Sequence, residues 1–168
     1  LNPAYRQAEM DYFLGDAQPA VVVCAPADFQ WLSRVAFQKR VRHVFTLGTD
    51  RTGTLLDRAS FMSDQHQPDV FESTSLCAIL YTSGTTGRSK GALLTHGNLL
   101  SNARTLIKHW GWRPDDVLLH ALPIFHIHGL FVACHCALLS GSKLLWLGKF
   151  EPQAVLQHLP QATVFMGV

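Results

Sequence analysis

This sequence predicts an α/β fold, a mostly parallel sheet flanked by helices, on three observations. Short β-branched or aliphatic runs alternate with longer stretches whose apolar residues recur at helical spacing, from Ala20 to Met166. Of its 168 residues, 48% are hydrophobic and 15% charged, the composition of a packed interior rather than of a disordered tail. No apolar run approaches the ~20 residues that span a bilayer.

The elements follow in order. Asn2-Pro3 has the form of a helix start, and Ala4, Ala8, Tyr12 and Phe13 continue it to about Leu14, with Gly15 and Pro19 closing it. Ala20 to Cys24 suits a buried strand, Ala27 to Gln38 a helix with Phe29, Leu32, Val35 and Ala36 on one side, and His43 to Leu47 a second strand. A short helix near Leu55 and Leu56 precedes a polar surface connection from Ser63 to Ser75. Leu76 to Tyr81 then predicts a strand, Thr82 to Lys90 a loop and Gly91 to Thr95 a returning strand. The remainder alternates: helix Asn98 to Trp110, strand Val117 to Ala121, helix Gly129 to Leu139, strand Lys143 to Leu147, helix Pro152 to Leu159 and strand Thr163 to Met166.

Charge and cysteine usage narrow the class. Fourteen Lys and Arg stand against twelve Asp and Glu, and the one local cluster, Lys39 to Arg42, reads as a solvated patch, so no nucleic-acid partner is expected. Cys24 and Cys77 sit inside apolar runs and Cys134 and Cys136 close to one, where free thiols behave as small hydrophobes; an intracellular, reduced protein is expected. A cytoplasmic placement is the first expectation and a mitochondrial one stays open, because the sequence opens on Leu1 and stops at Val168 inside a strand-like run. Both ends have the look of cuts in a longer chain, and oligomeric state is undetermined.

The stretch richest in chemistry is Tyr81-Thr82-Ser83-Gly84-Thr85-Thr86-Gly87-Arg88-Ser89-Lys90-Gly91. Glycines let backbone N–H groups approach an anion, the Ser and Thr hydroxyls add donors, and Lys90 adds a mobile positive charge, a combination suited to a polyphosphate. A Walker-type loop would place Gly directly before the Lys and Ser or Thr directly after, and would open a helix. Here Ser89 precedes Lys90 and Gly91 follows, ahead of an extended run. A ligand-free hairpin connection is the plain alternative.

Tyr81 to Gly91 resembles the phosphate-loop signature of the adenylate-forming superfamily, which includes acyl-CoA synthetases. Ser89 stands where Pro is usual, and Arg88-Ser89-Lys90-Gly91 with the Ala-Leu-Leu-Thr-His-Gly-Asn that follows is similar to malonyl-CoA synthetases. Leu1 to Tyr12 resembles an early helix of the family, and Leu122-Pro123-Ile124-Phe125-His126-Ile127-His128-Gly129-Leu130 resembles its aromatic/His switch segment. The resemblance implies that residues 1–168 are a fragment of the large N-terminal AMP-binding domain, without the C-terminal lid domain. The family's adenine-binding, ribose-binding and lid signatures cannot be located before Val168.

The resemblance further implies an ATP-dependent carboxylic acid:CoA ligase that forms an acyl-adenylate and then a thioester. Thr82, Ser83, Gly84, Thr85, Thr86, Gly87 and Lys90 would hold the β- and γ-phosphates, with Thr82 a ligand of a bridging Mg²⁺. Lys90 and His126 are the expected catalytic residues, and His126 and His128 the expected contacts to the acid. ATP, Mg²⁺ and CoA as co-substrate are the implied cofactors. Three alternatives remain: a nucleotide-binding module without catalysis, a ligase for medium-chain or aromatic acids, and a zinc site among His120, His126, His128, Cys134, His135 and Cys136, disfavoured because no Cys-x-x-Cys pair is present.

Overall fold

The computed structural model describes residues 1–82 and 89–168. The expected phosphate contacts Ser83, Gly84, Thr85, Thr86 and Gly87 lie outside the described residues. The chain forms two compact units, Leu1–Asp69 and Val70–Val168.

In the first unit, α1 (Gln7–Ala17) and α2 (Phe29–Gln38) accompany β1 (Val21–Cys24) and β2 (His43–Thr46), and α3 (Thr54–Ala59) follows. The strands pair in parallel from Val21 opposite His43 to Cys24 opposite Thr46. Met10, Phe13, Leu14, Val22, Leu32, Val35 and Ala36 are buried. Lys39 Nζ lies 2.8 Å from Asp11 Oδ2, tying the end of α2 to α1.

Helix α1 starts later than the Asn-Pro signature predicts. The Asn2 side chain accepts the Ala4 N–H at 2.9 Å and its carbonyl accepts the Tyr5 N–H at 3.1 Å, so Asn2-Pro3 builds a turn instead. The helix begins after Arg6, whose N–H donates to the Glu9 carboxylate at 3.0 Å. It also passes through Gly15 to Ala17, with the Lys39 side chain alongside Gly15, and stops where Gln18 turns left-handed at φ 46°.

The second unit opens with the antiparallel pair β3 (Leu76–Thr82) and β4 (Lys90–Thr95), then α4 (His96–Trp110). β5 (Val117–His120), β6 (Lys143–Trp146) and β7 (Val164–Phe165) form a parallel sheet in the order β6-β5-β7. A π-helix, His128–Cys134, runs into α5 (His135–Ser140) before β6, and α6 (Pro152–His158) connects β6 to β7. The central strand is buried on both faces, Leu118 and Leu119 being fully enclosed.

Among the described residues the strands form three sheets rather than one. A short loop can join only antiparallel neighbours, whereas parallel neighbours need a crossover helix, and both connections occur here. Thr82 and Lys90, expected in the loop, are the terminal residues of β3 and β4. The expected single helix from Gly129 to Leu139 is split into a π-helical and an α-helical part.

Candidate functional site

The β3–β4 hairpin fixes half of the candidate site. Its register pairs Tyr81 with Gly91 and Thr82 with Lys90, so Thr82 and Lys90 close the last rung before the loop. Directly opposed residues project to one face of a two-stranded ribbon, which places the hydroxyl and the ammonium side by side, both exposed. Beside them, a Cβ on Gly91 would come within 2.9 Å of Ile79 Cγ2 and 3.3 Å of Tyr81 Cε1. The glycine thus gives room to the side chains flanking the mouth.

This geometry separates the loop from a Walker loop. There the Lys opens a helix whose N-terminus faces the phosphates. Here Lys90 opens a strand antiparallel to β3, and α4 begins only at His96. An anion at this mouth would meet the Thr82 hydroxyl and the Lys90 ammonium from strand ends, without a helix dipole behind the lysine.

The second half lies after β5. Three parallel strands carry their chain exits to one edge, the edge at which open α/β sheets bind ligands. The exit of β5 is a tight turn: the His126 N–H donates to the Pro123 carbonyl at 3.2 Å, and the His126 carbonyl accepts the Leu130 N–H at 3.1 Å. His126 is exposed, its ring 4.6 Å from that of Phe125. His128, half-buried, lines a cavity of about 580 Å³ together with Trp110, Trp112, Arg113, Val164 and Gly167.

Asp116, also on this cavity, is already committed. Its carboxylate accepts the Arg113 N–H at 2.7 Å and the Thr163 hydroxyl at 2.8 Å, and those two bonds hold its pKa below the ordinary aspartate value. It organises the starts of β5 and β7 rather than presenting a free carboxylate. Sequence reasoning did not find the tryptophans and the β7 residues of this wall. Their signal is tertiary, since α4 and β7 are far apart along the chain.

His120, Cys134 and Cys136 play a packing role. His120 is 1% exposed, its ring nitrogens 3.8 and 3.9 Å from the Cys134 sulfur and its ring centre 4.5 Å from that of Trp146. Burial lowers the His120 pKa and raises those of Cys134 and Cys136, so all three are held neutral. Among the described residues no three His, Cys, Asp or Glu side chains converge as a metal-ligand group. No described helix is long and apolar enough to cross a membrane.

The structure thus joins Thr82 to Lys90 across one rung and sets His126 and His128 on a separate turn of the same unit. Comparison with known proteins bears on what this combination serves. The family described as AMP-binding enzyme matches residues 1–168. A mitochondrial malonate–CoA ligase of Xenopus laevis is 35% identical over 175 residues, covering 100% of this chain and 30% of that protein. A feruloyl-CoA synthase of an Amycolatopsis species is 32% identical over 157 residues, covering 93% of the chain and 30% of the relative. The crystal structure of ATP-bound MatB from Rhodopseudomonas palustris superposes with a TM-score of 0.94 at 47% identity, covering 99% of this chain and 33% of that one. The chain therefore spans about 30% of the length of the curated relatives it matches.

Proposed function

Because the chain belongs to the AMP-binding enzyme family, we propose that it supplies the triphosphate grip and the acid-facing turn of an ATP-dependent carboxylic acid:CoA ligase, with malonate as the leading acid. The observation that carries this reading is the register pairing Thr82 with Lys90 at the mouth of a hairpin. The likeness to an ATP-bound structure and to malonate–CoA ligases supports it. The feruloyl-CoA synthase relative keeps aromatic acids as the competing substrate class.

In the first half-reaction a carboxylate oxygen bonds to the α-phosphorus of ATP while the bond to the β-phosphate oxygen breaks, giving acyl-adenylate and pyrophosphate. Charge builds on the leaving pyrophosphate, and Lys90 with the hydroxyl and glycine residues 82–87 would stabilise it. In the second, the CoA thiol attacks the acyl carbon, loses its proton and expels AMP. His126, exposed on its turn, would face the acid's carboxylate, and His128 would do so from the wall of the cavity it shares with Trp112 and Gly167.

Mg²⁺ characteristically keeps substrate phosphates and few protein atoms in its shell. The exposed Thr82 hydroxyl at the hairpin mouth fits that demand, and when bound the ion would neutralise phosphate charge. Thr82 itself would orient the triphosphate tail against Lys90.

Replacing Lys90 by Ala in the full-length protein tests the reading. Pyrophosphate release should fall about 10- to 100-fold, below the roughly 10²- to 10³-fold for removing one enclosed transition-state donor because Lys90 is solvent-exposed. An unchanged rate defeats the phosphate assignment. Malonate, acetate, a medium-chain acid and ferulate compared by AMP release then rank the substrates.

A further inference from the structure

We infer that Gly129 is a positioning residue for His126, acting through the carbonyl of Pro123; the inference rests on the acid-facing role of His126 proposed above. Gly129 is buried, and a Cβ built on it would lie 2.4 Å from the Pro123 carbonyl oxygen, 2.9 Å from its carbonyl carbon and 3.3 Å from Leu122 Cβ. Two of these contacts are to backbone, which cannot swing aside as a flexible side chain can. The same Pro123 oxygen accepts the His126 N–H at 3.2 Å. The atom that a methyl group at position 129 would displace is therefore the atom that anchors the His126 backbone.

The surrounding elements restrict how the clash could be relieved. Upstream, Ala121 is buried directly after β5, whose residues 118–120 are buried. Downstream, Ala133 and Cys134 are buried and hold the π-helix that starts at His128. The π-helix is the less regular of the neighbouring elements, and such wide turns recur at functional sites. The turn between β5 and the π-helix, which carries His126, is the segment free to move. Gly129 thus sets the distance between the strand exit and the helix start, and with it the place of the imidazole.

The test is a double-mutant cycle in the full-length protein with Gly129→Ala, His126→Ala and the pair. Displacing a reacting or orienting group by about 1 Å costs on the order of 10²-fold, so Gly129→Ala should lower kcat/KM for the acid by about 10- to 100-fold while KM for ATP stays within about twofold. In the His126→Ala background the same change should cost less than about twofold, because its effect passes through a ring already removed. Equal losses in both backgrounds, or equal losses for acid and ATP, would overturn the positioning role and leave a packing role. Should His126→Ala alone leave the acid-dependent rate unchanged, the acid-facing reading of His126 fails instead, and the inference with it.

If Gly129→Ala does not fold, Pro123→Ala approaches the same carbonyl from the other side by releasing the ring that fixes the backbone at residue 123. It should give an acid-specific loss of about 3- to 10-fold that vanishes in the His126→Ala background. A loss that persists there overturns the inference.

Discussion

Lowering the pH should weaken the second unit through one side chain, His120. Its ring is enclosed to 1% exposure between the Cys134 sulfur at 3.8 Å and the Trp146 ring. Neither neighbour carries a negative charge to meet an imidazolium. Burial is the main cause of its lowered pKa, opposed by a backbone bond at Leu122. The folded state consequently binds this proton more weakly than the unfolded chain, whose imidazole titrates near 6.5.

As the pH falls through that value the unfolded state takes up the proton first, and stability declines with a limiting slope of about 1.4 kcal/mol per pH unit. By one unit below, the loss attributable to His120 reaches at most about 1.4 kcal/mol, which is large against a total of about 5–15 kcal/mol. His135, also lowered by burial, adds a contribution of the same sign. Urea denaturation followed by tryptophan fluorescence at about pH 8 and about pH 5.5 would measure the decline. In His120→Leu the slope should fall by up to one proton, about 1.4 kcal/mol per pH unit. An identical slope in the two proteins would refute the account of His120.

Two further outcomes follow, one from the second unit and one from cysteines in both. Thr95 caps α4: its hydroxyl accepts the Asn98 N–H at 3.1 Å, and the Asn98 side chain accepts the Thr95 N–H at 3.0 Å. Thr95→Ala should cost about 1 kcal/mol in a denaturation midpoint and Thr95→Ser nearly nothing, whereas equal midpoints for Ala and Thr would remove the cap. Thiol labelling of the native chain should reach exposed Cys77 first, half-buried Cys24 more slowly, and buried Cys134 and Cys136 only on unfolding. Burial raises the pKa of the last three, which keeps them as unreactive thiols, and peptide mapping after timed alkylation gives the order.

What the sequence made legible was local. β1, β2, β5 and β6 lie where aliphatic runs predict them, but only β5 is the buried strand such a run advertises; β1, expected to be buried, leaves Val21 and Val23 exposed, because its one sheet partner among the described strands is β2. The returning strand after Lys90 was legible from Gly91 to Thr95, and with it the contrast to a Walker loop. Partitioning into three sheets was not legible, since pairing depends on which strands meet. The start of α1 misled because Asn2-Pro3 serves a cap and a turn equally well, and only Arg6 with Glu9 decides between them. The π-helical turn and the close approach of Gly129 to Pro123 carry no local signal beyond a glycine.

β5, β6 and β7 all run the same way, so segments 121–127, 147–151 and 166–168 depart from a common rim. The register pairs of the ladders end at residues 117–120, 143–146 and 164–165, and the Leu147 N–H adds one more backbone bond, to the His120 carbonyl at 2.8 Å. Ala121, Leu122, Leu147 and Met166 pack into the core and are fixed by it, whereas exposed rim positions such as Ile124 and Phe150 can be exchanged with these backbone bonds intact, so chemical preference can drift there while the architecture stays put. A framework of this kind can be re-tooled for a different guest without being rebuilt.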